Sequence, residues 1–200
     1  MFGTPELSTR TTQLLSVCAL VFASCASDTG VDDDSVADVT QSEQALSLLP
    51  KTPPELAVPA GNFLGLYRKG VGVQIYVCNA VEAGFAWTLK APEADLLFPG
   101  KRVVGSHYAG PTWEARDGST VVGSRLAGVT VDATAIPWIL LQASSHSGRG
   151  VMSRVSYIQR LNTQEGLAPT SGCNAETVGT TTNSHYTADY FFYYPIPKRS

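Results

Sequence analysis

Apolar side chains alternate strictly with other types along Val71-Gly72-Val73-Gln74-Ile75-Tyr76-Val77-Cys78. Successive residues of a strand project to opposite sides, so Val71, Val73, Ile75 and Val77 share one face and Cys78 lies on the other, and the stretch predicts a half-buried β-strand. Residues 85–89 predict a short partner, set off by a turn at Glu82-Ala83-Gly84. The run at residues 138–143 follows Pro137, which is tolerated where a strand begins and no N–H is needed, and its unbroken apolar character predicts burial on both faces. Residues 151–162 fit two periods, because Val151, Val155, Ile158 and Leu161 would also line one face of a helix. Gly148 and Gly150 before that segment, and its β-branched content, favour a strand. The aromatic-rich residues 186–194, with Pro195 beyond them, predict a closing strand. Glycine, proline, asparagine and aspartate punctuate these elements, and no helix-period run is long enough for a βαβ unit. The predicted fold class is all-β, an antiparallel sandwich or barrel of short strands.

The N-terminal quarter follows a different pattern. Residues 13–24 are apolar over a length that suits a signal-peptide core and is too short to cross a bilayer as a helix, with Arg10 as the cation before it. Val21-Phe22-Ala23-Ser24-Cys25 resembles the lipobox of bacterial lipoproteins, in which the cysteine thiol takes a diacylglycerol and becomes the new N-terminus. Phe22 stands where that family usually has leucine, which leaves ordinary cleavage after Ala26 as the other route. Cysteine parity bears on the choice. Cys18 is lost with the signal, and a lipidated Cys25 leaves Cys78 and Cys173 as an even pair, expected to form a disulfide in an oxidising compartment; the alternative is two buried thiols. Residues 25–49 carry Asp32-Asp33-Asp34, Asp38 and Glu43 and no aromatic residue, so they predict a flexible acidic tether. Pro50, Pro53, Pro54 and Pro59 then stiffen the entry to one domain over residues 50–200. The expected location is outside the cytoplasm, as an outer-membrane or cell-surface lipoprotein held to the membrane through Cys25 alone, or alternatively as a secreted protein.

Composition narrows the chemistry. An apolar fraction of 44% with 16% charged residues can build a core, and a net charge of -3 without any basic run lacks the electrostatic footprint of a nucleic-acid binder. Gly70-Val71-Gly72 has Ile75 where a dinucleotide fingerprint needs its third glycine, so no nucleotide cofactor is predicted. Nucleophile-elbow, zinc-protease and phosphate-loop motifs do not occur. His107, His146 and His185 lack short metal-ligand spacing, and no metal site is predicted. The loop around Ser145-His146-Ser147 offers no acid partner for a serine nucleophile. Arg125, Arg154 and Arg160 could each clamp a carboxylate or phosphate, but arginines on a strand more often keep a sheet face wet, and none is placed in the predicted site.

One short span is dense in candidate chemistry. Ser106-His107-Tyr108-Ala109-Gly110-Pro111-Thr112-Trp113-Glu114, followed by Asp117-Gly118-Ser119, sets polar and aromatic groups on a turn-rich frame. Its ligand-binding candidates are Tyr108 and Trp113 as flat contact surfaces and His107 and Glu114 as orienting polar groups. The competing structural reading makes Trp113 a core anchor, His107 a partner for buried backbone and Asp117-Gly118 a hairpin turn.

Taken in order, residues 72–78, 106–114, 117–119 and 157–160, with Thr163, Gly172-Cys173 and Tyr186-Thr187-Ala188-Asp189-Tyr190, resemble the DUF3455 family of exported bacterial, fungal and plant proteins. That resemblance implies export and a shared fold, and supplies no activity. The function expected is an exported cell-envelope or extracellular binding or structural module, with a glycan or small polar molecule as ligand. The alternative is a secreted hydrolase using His107 and Glu114 as acid–base groups.

Overall fold

In the computed structural model, residues 50–98 and 102–198 are described. The predicted signal segment, Cys25 and the acidic tether lie outside them. A 3-10 turn, η1 (Pro54–Leu56), leads into eight strands: β1 (Asn62–Val81), β2 (Gly84–Phe98), β3 (Arg102–Tyr108), β4 (Thr112–Ala115), β5 (Thr120–Val129), β6 (Trp138–Ser147), β7 (Tyr157–Glu165) and β8 (Thr181–Pro195). Each strand pairs antiparallel with the next, and β8 returns to β1, so of the two predicted architectures the chain adopts the closed barrel. Closure pairs every strand on both sides and leaves no edge open.

The barrel interior changes character along its axis. Toward one end Leu96, Val121, Ile158 and Phe192 pack with Met152 and Val155 of the β6–β7 connection. Toward the other, the inward positions become Gln74, Tyr76, His107, Trp113, Arg160, Tyr186 and Tyr190. Large inward side chains fit because glycine stands beside them on the neighbouring strand. A Cβ on Gly70 would lie 2.5 Å from the Tyr190 ring, and one on Gly123 would lie 3.0 Å from Trp113 and 3.1 Å from Leu141.

A second cluster lies outside the barrel wall. Leu56 of η1 is fully buried over Leu140, Leu161, Phe191 and Tyr193. Gln159 ties that contact down: its Nε2 donates to the Leu56 carbonyl at 2.6 Å, and its Oε1 accepts from the Tyr193 hydroxyl at 2.7 Å. Burying one leucine side chain contributes about 1.5–3 kcal/mol, so η1 anchors the entry to the domain. This cluster explains the β6 run, where Ile139 and Leu141 face inward while Leu140 faces outward and is buried under the lead-in.

The structure decides one point that the periodicity leaves open and corrects one expectation. In β1 the valine face is the outer one: Val71 is 42% exposed, Val73, Ile75 and Val77 are half-buried, and the interior receives Gly70, Gly72, Gln74, Tyr76 and Cys78. The lumen at this level is built from aromatic and polar groups, so the alternation marks the strand while its aliphatic side is turned away from the core. Residues 151–154 form turns, and the strand begins only at Tyr157. Asp117 of the β4–β5 turn holds them, its Oδ2 accepting from the Val151 N–H at 2.9 Å, while the Met152 N–H donates to Ser119 Oγ at 3.0 Å. Met152 and Val155 are thereby drawn into the core as a plug.

Cys78 and Cys173 are disulfide-bonded, with Cα atoms 5.3 Å apart. The bond ties the end of β1 to the segment before β8, and backbone hydrogen bonds between Cys78 and residues 179 and 180 run alongside it.

Candidate functional site

The β3–β4 hairpin carries the predicted segment and divides it. His107 pairs with Trp113 across the hairpin and both point inward, whereas Ser106 pairs with Glu114, and Tyr108 and Glu114 project from the outer face. Inside, the imidazole and indole stack with centroids 4.4 Å apart and planes 10° from parallel, and the Tyr190 ring meets both edge-on at 5.3 and 5.6 Å. His107 Nδ1 donates to the Thr112 carbonyl at 2.8 Å, which fixes the tautomer with the proton on that nitrogen. Burial pushes the His107 imidazole down to about 3, with the Arg160 charge acting in the same direction, so it is neutral across the physiological range. On the outside, the Tyr108 hydroxyl donates to Glu114 Oε2 at 2.9 Å beside shallow grooves. Of the four candidate residues, the fold therefore brings His107 and Trp113 together in the lumen and sets Tyr108 and Glu114 together on the opposite side of the wall.

His107 and Trp113 border a cavity of about 310 Å³ at the polar end of the barrel. Gln74 from β1, Trp113 from β4 and Arg160 from β7 supply its polar surface, with Pro111, Ile139 and Leu141 as apolar walls. Three buried N–H donors there, Gln74 Nε2, Trp113 Nε1 and Arg160 Nε, have no protein acceptor. Gln74 is only 2% exposed and Trp113 1%, so bulk water does not serve them. Each donor left without a partner costs about 1–3 kcal/mol, and all three belong to residues that line this one cavity.

Charge reinforces the pattern. Arg160 Nη2 donates to the Pro137 carbonyl at 2.8 Å, and burial lowers the basicity of its guanidinium, which nevertheless stays protonated. No carboxylate lines the cavity among the described residues; the one ion pair found among them, Lys69 with Asp189 at 3.3 Å, is elsewhere. Tyr186 and Tyr190 bond each other at 3.1 Å and are held neutral, since burial raises both phenols. The rim adds Lys90 and Arg125, both exposed, and Gly128 makes room for the Arg125 guanidinium, which occupies the space where a Cβ would stand. Among the described residues, the result is a chamber with one part-buried cation, two cations at its mouth and no anion.

Gln74 and Arg160 are the site residues that sequence reasoning did not assign. The available signal was periodicity: Gln74 sits within an alternating strand on the face opposite the valines, and Arg160 lies in the aromatic and polar block at residues 157–160. Arg154, grouped with it in the sequence, is exposed in the β6–β7 turn. Of the other histidines, His146 Nε2 donates to the Val155 carbonyl at 2.7 Å, and no group of three or more metal-ligating side chains occurs among the described residues. Asp117 acts as a latch, its Oδ1 accepting from Ser119 at 2.9 Å from the backbone and 2.5 Å from the hydroxyl, contacts that hold its carboxyl below the usual range.

No curated protein and no solved structure matches this chain at a significant level. A family model described as a protein of unknown function matches residues 59–194, which take in β1 to β7 and all but the last residue of β8, the cavity and both disulfide cysteines but not the N-terminal segment. The chain belongs to the DUF3455 family.

Proposed function

We propose that this protein is an exported binding module whose ligand, a small polar molecule, enters the open end of the barrel and is held by Gln74, Trp113 and Arg160. The observation that carries the reading is that three residues lining one chamber, from three strands, each keep a buried N–H donor without a protein acceptor. A ligand bearing acceptor atoms completes those hydrogen bonds, while Pro111, Ile139 and Leu141 supply the apolar contact that small-molecule sites use for affinity. His107 sets the chamber by stacking beneath Trp113. In this reading Tyr108 and Glu114 lie outside the pocket, and a lipid on Cys25 anchors the protein to a membrane.

Binding accounts for the site better than acid–base hydrolysis does. His107 commits its proton to the Thr112 carbonyl and is too weakly basic to be charged near neutrality, and Glu114 stands on the other side of the wall. The test is thermal unfolding of the mature protein against a panel of monosaccharides, disaccharides and small organic acids. A ligand at 100 times its Kd adds about 2.7 kcal/mol to stability. Trp113→Phe and Gln74→Leu should each reduce that gain while retaining the fold. A panel in which no member raises the midpoint, or a gain untouched by both substitutions, contradicts the reading.

A further inference from the structure

We infer that the chamber selects a monocarboxylate with a compact apolar body, its carboxylate against Arg160, Gln74 and Trp113 and its body against Pro111, Ile139 and Leu141. The inference rests on the binding reading above and specifies the chemistry of the ligand.

Charge balance comes first. One guanidinium, Arg160, is part-buried in the chamber wall, no carboxylate lines the chamber among the described residues, and a single negative charge neutralises it. A dianion would bring a second charge into the chamber that nothing there pairs, since Arg125 and Lys90 are exposed at the rim. Those two cations suit a different task, drawing an anion toward the opening.

Hydrogen-bond valence agrees. The unsatisfied atoms are donors, and a carboxylate is acceptor-only, with two oxygens able to take about four hydrogen bonds. Arg160 Nε, Gln74 Nε2 and Trp113 Nε1 make three without any of them giving up an existing protein bond. A sugar hydroxyl fits less well, because each hydroxyl also brings a donor that needs an acceptor. The tyrosine hydroxyls nearby are already engaged, Tyr76 donating to the Gly166 carbonyl at 2.6 Å and Tyr186 bonded to Tyr190.

Shape supplies the last element. Beyond the donors the wall is proline, isoleucine and leucine, which reward an apolar body, and about 310 Å³ is at the small end of ligand pockets.

Calorimetric titration with benzoate and its neutral isostere benzamide tests the inference, using the folded mature protein, Arg160→Met and Arg160→Lys. Charge-assisted hydrogen bonds should make benzoate bind about 10–100-fold more tightly than benzamide. Arg160→Met should erase that preference, and Arg160→Lys should restore part of it, with each variant's thermal transition establishing that it is folded. If benzamide binds as well as benzoate to the wild type and Trp113→Phe weakens both, the chamber is a binding site and the carboxylate assignment is overturned. If neither probe binds and the sugars and acids of the panel also leave the midpoint unmoved, the binding reading fails with it.

Discussion

Replacing Arg160 by methionine removes the part-buried cation of the chamber, and the consequence can be worked from its surroundings. Its guanidinium has given up part of its hydration without gaining a carboxylate, and its Nε has no acceptor. Exchanging a buried ionic group for an apolar one of similar volume is neutral or stabilising by about 1–4 kcal/mol, and a charge that is only part-buried belongs toward the middle of that range. Against this stands the hydrogen bond to Pro137, whose loss leaves a carbonyl unpaired at a cost of about 1–3 kcal/mol. The expected balance lies between neutral and a net gain of about 1 kcal/mol for the unliganded protein. For a domain of this size that raises the midpoint by up to roughly 4 °C. Urea denaturation should show the same gain as a higher transition midpoint with an unchanged m-value. Arg154→Met, at an exposed position, serves as the control and should stay within about 0.5 kcal/mol of wild type. A loss of more than about 1 kcal/mol in Arg160→Met would refute the reasoning, because it would make the arginine a structural tie between β7 and Pro137 and not a group kept for a ligand.

Three further outcomes follow from the same geometry. His107 has a folded pKa of about 3 against an unfolded value near 6.5, so the unfolded chain binds the extra proton and stability falls with falling pH, by about 2 kcal/mol between pH 8 and pH 5; His107→Gln should lack that component, and equal pH profiles for the two proteins would place the imidazole in contact with water. Gly123→Val pushes its side chain toward Trp113 and Leu141, and should cost about 1–3 kcal/mol while abolishing binding, read by denaturation and titration; an unaltered affinity would separate the chamber from the Trp113 wall. Replacing Cys78 and Cys173 together by alanine should cost about 2–5 kcal/mol and raise amide exchange before β8, whereas unchanged exchange there would mean that the backbone hydrogen bonds between Cys78 and residues 179 and 180 suffice.

Much of the fold could be read from the chain because its signals are local. Alternation over residues 71–78, the turn at Glu82-Ala83-Gly84 and the proline before β6 all act within a few residues and coincide with the strands found. Which face of β1 turns inward was not legible. Periodicity reports that two faces differ, but the inner one is identified only by what the closed barrel brings against it, and here that is Trp113, Arg160 and Tyr190, all far away in sequence. The candidate site divides for the same reason. His107, Tyr108, Trp113 and Glu114 are neighbours in sequence, and a hairpin sends alternate positions to opposite sides, so proximity along the chain could gather four suitable residues without revealing that two face outward. Gln74 and Arg160 become partners of Trp113 only when β1, β4 and β7 close into one ring. The β6–β7 segment was misjudged at its start because the contact that bends it comes from Asp117, 34 residues away.

The claim that the lumen is a ligand site is tested most directly by the indole N–H resonance of Trp113. Its Nε1 has no protein acceptor, whereas Trp87 Nε1 donates to the Ser171 carbonyl at 2.8 Å and serves as an internal reference. With the signal assigned through Trp113→Phe, titration of benzoate into the uniformly 15N-labelled protein should move the Trp113 resonance downfield along a saturable curve as its hydrogen bond forms, and leave Trp87 in place. A Trp113 resonance that stays still for benzoate, benzamide and every sugar and acid of the panel, or that moves only in step with Trp87, would contradict the account.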